Sequence, residues 1–219
     1  MSCPWKGMSM DKCSRKFRRQ SPIREQAPED AATWHSEGVR LYTLGRDDEA
    51  LQCFERAVEL DPGLADAWLH RATCLTHMDR EYEALCCLDK AIEISPYNAR
   101  AWSLKGACLY DLDRFDEALP CFDWALDLDQ DNTDARVIRA ACLINLDRVE
   151  EGLRCCEKAL DLDVEHALGW YIKAAAEEQL GRLEDAALSF RQFIDLAPSE
   201  YAEQIESAYQ ALQELEGSS

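Results

Sequence analysis

Between Ala101 and Asp129 apolar residues recur at helical intervals, pause, and recur again. Trp102, Gly106 and Leu109 stand four and three residues apart, which places them on one face of a first helix. Asp113 and Arg114 interrupt the rhythm, and Ala118, Phe122 and Ala125 resume it on a second helix. Small residues at 106, 118 and 125 let the two helices approach, while Trp102 and Phe122 fill the space around them. The whole pattern returns when it is slid by 34 residues. Trp102 then falls on Trp68 and Trp34, Leu109 on Leu75 and Leu41, and Ala118 on Ala84 and Ala50. Self-similarity at a fixed period predicts a repeat array, in which each helix pair buries its apolar face against its neighbours.

These residues resemble the tetratricopeptide repeat, whose hallmarks are W-x2-L-G-x2-Y followed by Ala, Phe, Ala and Pro. The first unit carries Trp34, Gly38, Leu41, Ala50, Phe54, Ala57 and Pro62, and the second Trp68, Ala72, Leu75, Ala84, Leu88, Ala91 and Pro96. The fourth keeps Ala140, Leu143 and Ala159 but has Arg136 for the Trp and Gly152 for an Ala. The fifth recovers Trp170, Ala186, Phe190 and Pro198, with Phe193 in place of the last small residue. The resemblance implies an all-α fold, a right-handed α-solenoid of antiparallel helix pairs. We expect an array over residues 29–216, with repeats at 31–64, 65–98, 99–132, 133–166 and 167–200. Ile205, Ala208, Leu212 and Leu215 mark a closing helix at 201–216 that covers the apolar face of the fifth pair.

Charge divides the chain further. The formal charge is −19, yet residues 1–28 hold seven Lys/Arg against two acids, so the remainder carries −24. Residues 1–28 lack helical periodicity, contain Pro4, Pro22 and Pro28, and read as a disordered basic arm around Ser14–Pro22. The arm reads as a solvated tail, a nuclear-localisation or RNA-touching patch, or a segment that docks on the acidic array. An acidic array repels nucleic acid and anionic membranes, which are held through cations. No apolar run approaches the roughly 20 residues that span a bilayer, and no apolar segment follows the basic N-terminus as in a secretory signal.

Eleven cysteines invite a disulfide reading, which their spacing opposes. Cys53, Cys87, Cys121 and Cys155 repeat every 34 residues, as do Cys74, Cys108 and Cys142. Equivalent sites in adjacent repeats lie about 10 Å apart, beyond the roughly 7 Å limit for bridged Cα atoms. Free, buried thiols and a reducing, cytoplasmic compartment are therefore expected.

His70, Cys74 and His77 share one helix face, but seven residues span about 10.5 Å, too far for both imidazoles to reach one ion with bonds near 2 Å. The vicinal pairs Cys86-Cys87 and Cys155-Cys156 point to different helix faces and read as packing. No glycine-rich phosphate loop, nucleophile elbow or paired ligand motif is present. No catalytic residue, metal or cofactor is expected, and the protein is not expected to be an enzyme. The Arg at 46, 80, 114, 148 and 182 complements the carbonyl end of each first helix. Pro120, early in its helix, predicts a mild distortion. Two charge rows, Glu59, Glu93, Asp127, Asp161, Asp195 and Arg71, Lys105, Arg139, Lys173, read as solvated or mutually neutralising faces, with a docking stripe as the rival.

The family resemblance implies that first helices line a concave groove for a partner. It maps to Leu69, Thr73, Arg100, Ser103, Ala107, Tyr110, Val137, Ala141, Ile144 and Tyr171, with Asp134 beside Arg100 at the rim. The expected partner is a protein or peptide with two or three apolar anchors and basic flanks. Family members that hold chaperone C-terminal tails use a Lys/Asn clamp. Here the clamp positions carry His35, Val39, His70, Arg100 and Leu104, and only Arg100 fits. Chaperone tails and small-molecule substrates are therefore not expected. The expectation is a cytoplasmic protein-interaction scaffold. Two rivals are a metal- or thiol-responsive regulator using Cys3, Cys13 and the vicinal pairs, and a nucleic-acid adaptor acting through the arm.

Overall fold

A computed structural model describes residues 30–217. The expectations for the arm, including Cys3 and Cys13, lie outside the described residues. Eleven α-helices follow one another, and there is no strand among the described residues. They are α1 Ala31–Thr43, α2 Asp47–Leu60, α3 Ala65–Thr76, α4 Glu81–Ile94, α5 Ala99–Asp111, α6 Phe115–Leu128, α7 Thr133–Asn145, α8 Val149–Leu162, α9 Ala167–Gln179, α10 Leu183–Leu196 and α11 Ala202–Gly217. The fold is all-α, built from antiparallel helix pairs. The chain divides into two compact units within α5, the first ending at Cys108 and the second starting at Leu109. No described helix is long and apolar enough to cross a membrane.

Each first helix stops for the same stereochemical reason. The residue after its last turn has positive φ: Gly45 at 69°, Asp79 at 53°, Asp113 at 56°, Asp147 at 61° and Gly181 at 72°. The next amide, that of Arg46, Arg80, Arg114, Arg148 or Arg182, reaches back to the carbonyl of Leu41, Leu75, Leu109, Leu143 or Glu177. This is the paired closure that left-handed residues permit at helix ends. Four of the arginine side chains also reach forward to the second helix. Each Arg is also the residue before the second helix, and Arg46, Arg80, Arg114 and Arg148 pair with Glu49, Glu83, Glu117 and Glu151, three residues on. Four of the five first helices start on a side-chain cap; α3, which starts after Leu64, does not. Asp30, Asn98, Asn132 and His166 each accept from the backbone N–H three residues later, the orphan donor a helix start leaves. The fourth cap is an imidazole. α6 runs unbroken through Pro120.

In the first unit Phe54 is fully buried against Gly38, where an added Cβ would lie 2.6 Å from the ring. Only glycine fits beneath that ring. In the second unit the departures from the repeat pattern compensate one another. Gly152 leaves room for Ile144, whose Cγ1 would be 2.7 Å from an added Cβ. Phe193, buried, meets Tyr171 and Tyr201 at ring separations of 5.0 and 6.2 Å. With Phe190, Ala208 and Leu212 it forms the core under α11.

Candidate functional site

The tryptophans that carry the repeat pattern do more than fill space. Nε1 of Trp68, Trp102 and Trp170 donates to the carbonyl six residues earlier, at Pro62, Pro96 and Val164. Arg136 makes the same bond, donating from Nη2 to the Gln130 carbonyl at 2.5 Å. A guanidinium thus reproduces the indole's tie between helix and preceding loop in the repeat that lacks the Trp.

The row Arg71, Lys105, Arg139 and Lys173 is engaged within the fold. In the first unit Arg71 pairs with Glu55 at 3.2 Å and Lys105 with Asp89 at 2.7 Å; in the second Arg139 pairs with Asp123 at 2.7 Å. Each partner lies 16 residues earlier, on the second helix of the preceding pair. Arg71, Lys105 and Lys173 also lie over Trp68, Trp102 and Trp170, 4.9 to 5.6 Å from the ring centres. These cations stitch one repeat to the next. Lys173 departs from the pattern by pairing with Glu177 on its own helix.

The nine described cysteines are free. Burial pushes the thiol of Cys53 up to about 11 and those of Cys74, Cys142 and Cys156 up to about 12. Cys86 and Cys155 are half-buried, and Cys155 Sγ accepts from Arg139 Nη1 at 2.9 Å. The vicinal pairs therefore each turn one thiol inward and one partly outward. Cys74 is buried between two histidines that face other partners: His70 meets His35, and His77 meets Tyr42 and Asp47. Among the described residues no group of three His, Cys, Asp or Glu side chains is placed to hold a metal.

The residues expected in a groove separate by burial. In the first unit Leu69 and Thr73 are buried, Arg100 is exposed, and Ser103 and Ala107 are partly exposed. In the second unit Val137 and Ala141 are buried, and Tyr110, Ile144 and Tyr171 are partly exposed. Val137 has no surface to offer, because its Cγ2 lies against the next first helix at Gly169. Ile144 turns down onto Gly152 and joins the packing of Val149 and Leu153. Tyr171 is held by the closing helix, its hydroxyl 3.4 Å from Ser207 Oγ. Sequence period alone places a residue on a first helix; which side of it meets the next helix depends on the step between repeats.

Contacts between successive first helices recur at a separation of about one repeat. His35 meets His70 and Tyr42 meets His77 in the first unit; His166 meets Asp134 in the second. Tyr110 packs on the Phe115 ring at 5.5 Å, and burial raises its hydroxyl pKa. His166 Nε2 lies 2.9 Å from Asp134 Oδ1 while its Nδ1 caps α9, so the neutral ring carries its proton on Nε2. Sequence reading missed two of these features. One is the His35–His70 contact; the other is a buried bond from Ser189 Oγ to Glu177 Oε2 at 2.6 Å. Both lie in the register: Glu177 occupies the position of Leu41, Leu75, Leu109 and Leu143, and Ser189 that of Cys53, Cys87, Cys121 and Cys155.

Comparison with known proteins bears on the fold. Family matches described as tetratricopeptide repeat fall at residues 31–64, 99–132 and 143–201, together more than half the chain. Among solved structures, a MamA fragment (41-end) from Desulfovibrio magneticus RS-1 is 19% identical with a TM-score of 0.71, covering 77% of this chain and 96% of that one. YrrB, described as a TPR protein with an unusual peptide-binding site, is 23% identical with a TM-score of 0.67, covering 82% and 92%. A thermophilic TPR protein from Thermus thermophilus, TTC0263, is 20% identical with a TM-score of 0.66, covering 83% and 98%. At these identities the likeness is one of fold. No curated protein matches the chain in sequence.

Proposed function

Because this chain belongs to the tetratricopeptide repeat family, we propose that it is a non-catalytic scaffold that binds a protein or peptide on the exposed side of its first helices. The observation that carries the reading is a set of side chains that the fold leaves open. Ser103 and Ala107 with Arg100 in the first unit, and Tyr110 in the second, are partly or fully exposed, while Ala101, Gly106, Cys108 and Leu109 on the same helix are buried. Small residues leave room for a partner's apolar anchor, and Tyr110 supplies an aromatic wall with a hydroxyl.

The partner is a segment with apolar anchors and basic flanks. Residues 29–219 carry −24 in formal charge, which speeds encounter with a cationic partner at low salt. YrrB's description as peptide-binding agrees with this reading. The scaffold works in the cytoplasm, where the free cysteines stay reduced.

Tyr110→Ala and Ser103→Arg test the surface by binding to the partner recovered from the native cell. Both should weaken binding at least tenfold with helical content unchanged. Full-strength binding by both folded variants would move the interface to the second helices. Val137→Glu is no test of binding, since a buried carboxylate there breaks the fold first.

A further inference from the structure

Three of the four histidines in the chain converge on one seam, between α1 and α3 of the first unit. His35 Nε2 lies 3.2 Å from His70 Nδ1, and His70 Nδ1 lies 2.8 Å from the carbonyl oxygen of Asp66. A carbonyl only accepts, so His70 Nδ1 carries a proton. His35 Nε2, facing that same N–H, is then the unprotonated, accepting nitrogen, and the neutral His35 ring holds its proton on Nδ1. Both rings rest on the buried Phe54, with centroids 5.7 and 5.5 Å from it. Seven residues further along both helices, Tyr42 Oη lies 3.3 Å from His77 Nε2, and His77 Nδ1 lies 3.4 Å from Asp47 Oδ2.

We propose that this seam is a proton-operated latch: protonation of His35 sets two N–H groups face to face and releases α1 from α3. One proton suffices, because the opposing donor on His70 is already fixed by Asp66. The groups around the latch pull in both directions. Asp66 of α3 favours a charged His35, His70 of the same helix opposes it, and Phe54 of α2 is neutral. At the second contact Asp47 of α2, Arg100 of α5 and the Cys74 thiol of α3 face Tyr42, and Asp47 also faces His77. Burial, followed by His70, holds the His35 pKa below its ordinary value.

The sign follows from that direction. A histidine with a depressed folded pKa contributes its full share above about pH 6.5, the unfolded value, and loses it as pH falls from there to the folded value. The latch is therefore shut at neutral pH and opens in mild acid. It acts on the first unit whatever that unit binds, so it does not rest on the interaction reading.

The test is amide exchange of the full chain from pH 8 to 5, corrected for intrinsic rates, on wild type, His35→Gln and His35→Leu. Gln keeps an acceptor toward His70 without titrating, and Leu is what the second repeat carries at position 69. Protection of α1 in the wild type should fall about tenfold per pH unit across the window. It should be flat in His35→Gln. His35→Leu should also be flat, and its misfolding would leave the Gln comparison decisive. Side-chain NMR at pH 7.5 should find the Nδ1-protonated ring at His35. Equal slopes for wild type and His35→Gln, or an Nε2-protonated His35, would overturn the proposal.

Discussion

Replacing Glu177 by Leu and Ser189 by Cys together should stabilise the fifth repeat, although both residues are satisfied in the native structure. Glu177 is 4% exposed and Ser189 1%, their bond is 2.6 Å, and Lys173 Nζ lies 3.3 Å from the other carboxylate oxygen. Four earlier repeats carry Leu and Cys at these positions, so the apolar pair already suits this helix packing. Exchanging a buried ionic group for apolar residues of similar volume is neutral or stabilising by about 1–4 kcal/mol. Lys173 is not stranded by the exchange, because its side chain keeps 20% exposure and the Trp170 face at 4.9 Å. Glu177→Leu alone behaves differently. It leaves a buried hydroxyl without its acceptor, at a cost of about 1–3 kcal/mol, which cancels the gain. The two substitutions should therefore couple by an amount of that order. Arrays lose strict two-state behaviour, so amide exchange in α9 and α10 is the primary assay, with urea melts beside it. Independent single-site effects, or a double variant less stable than wild type, would refute the reasoning.

Thiol titration of the native protein at pH 7.5 should leave Cys53, Cys74, Cys142 and Cys156 unmodified, because burial holds them at about 11 to 12. Mapping should find Cys86 and Cys155 modified first among the described residues, and all eleven cysteines after denaturation. Removing residues 202–219 should uncover Phe193 and cost several kcal/mol, since Leu212 alone contributes about 1.5–3 kcal/mol of burial; an unchanged melting curve would refute this. The Asp134 carboxylate raises the His166 pKa, so their link is whole below about pH 6.5 and is lost as pH rises through the folded value. Asp134→Asn should lower the His166 titration midpoint in NMR and leave α9 capped while the ring is neutral.

Period and register carried most of the fold. Helix pairs and free cysteine ladders follow from the 34-residue spacing, because equivalent residues in a stacked array meet equivalent neighbours, and the closing helix follows from the apolar row Ile205, Ala208, Leu212 and Leu215. The groove was less legible. Val137 and Ile144 share a period with exposed residues, yet Gly169 and Gly152 on adjoining helices leave room that they fill. Such packing depends on pairs of positions in different helices, which one row of a repeat alignment does not show. The same limit hid Glu177 and Ser189, each visible as an exception and meaningful only once they touch. Arg136 was misleading in another way, since a guanidinium resembles an indole only in where its N–H reaches.

The most direct test of the interaction reading is position-specific photo-crosslinking in the native cell. A benzophenone side chain is placed at Ala107 or Tyr110 on the proposed surface, or at Gln52 or Lys158, exposed positions on second helices. The account expects one common partner to be crosslinked from 107 and 110 and not from 52 or 158, with the attached peptide bearing apolar residues flanked by Lys or Arg. Crosslinks to that partner from 52 and 158 alone would contradict it.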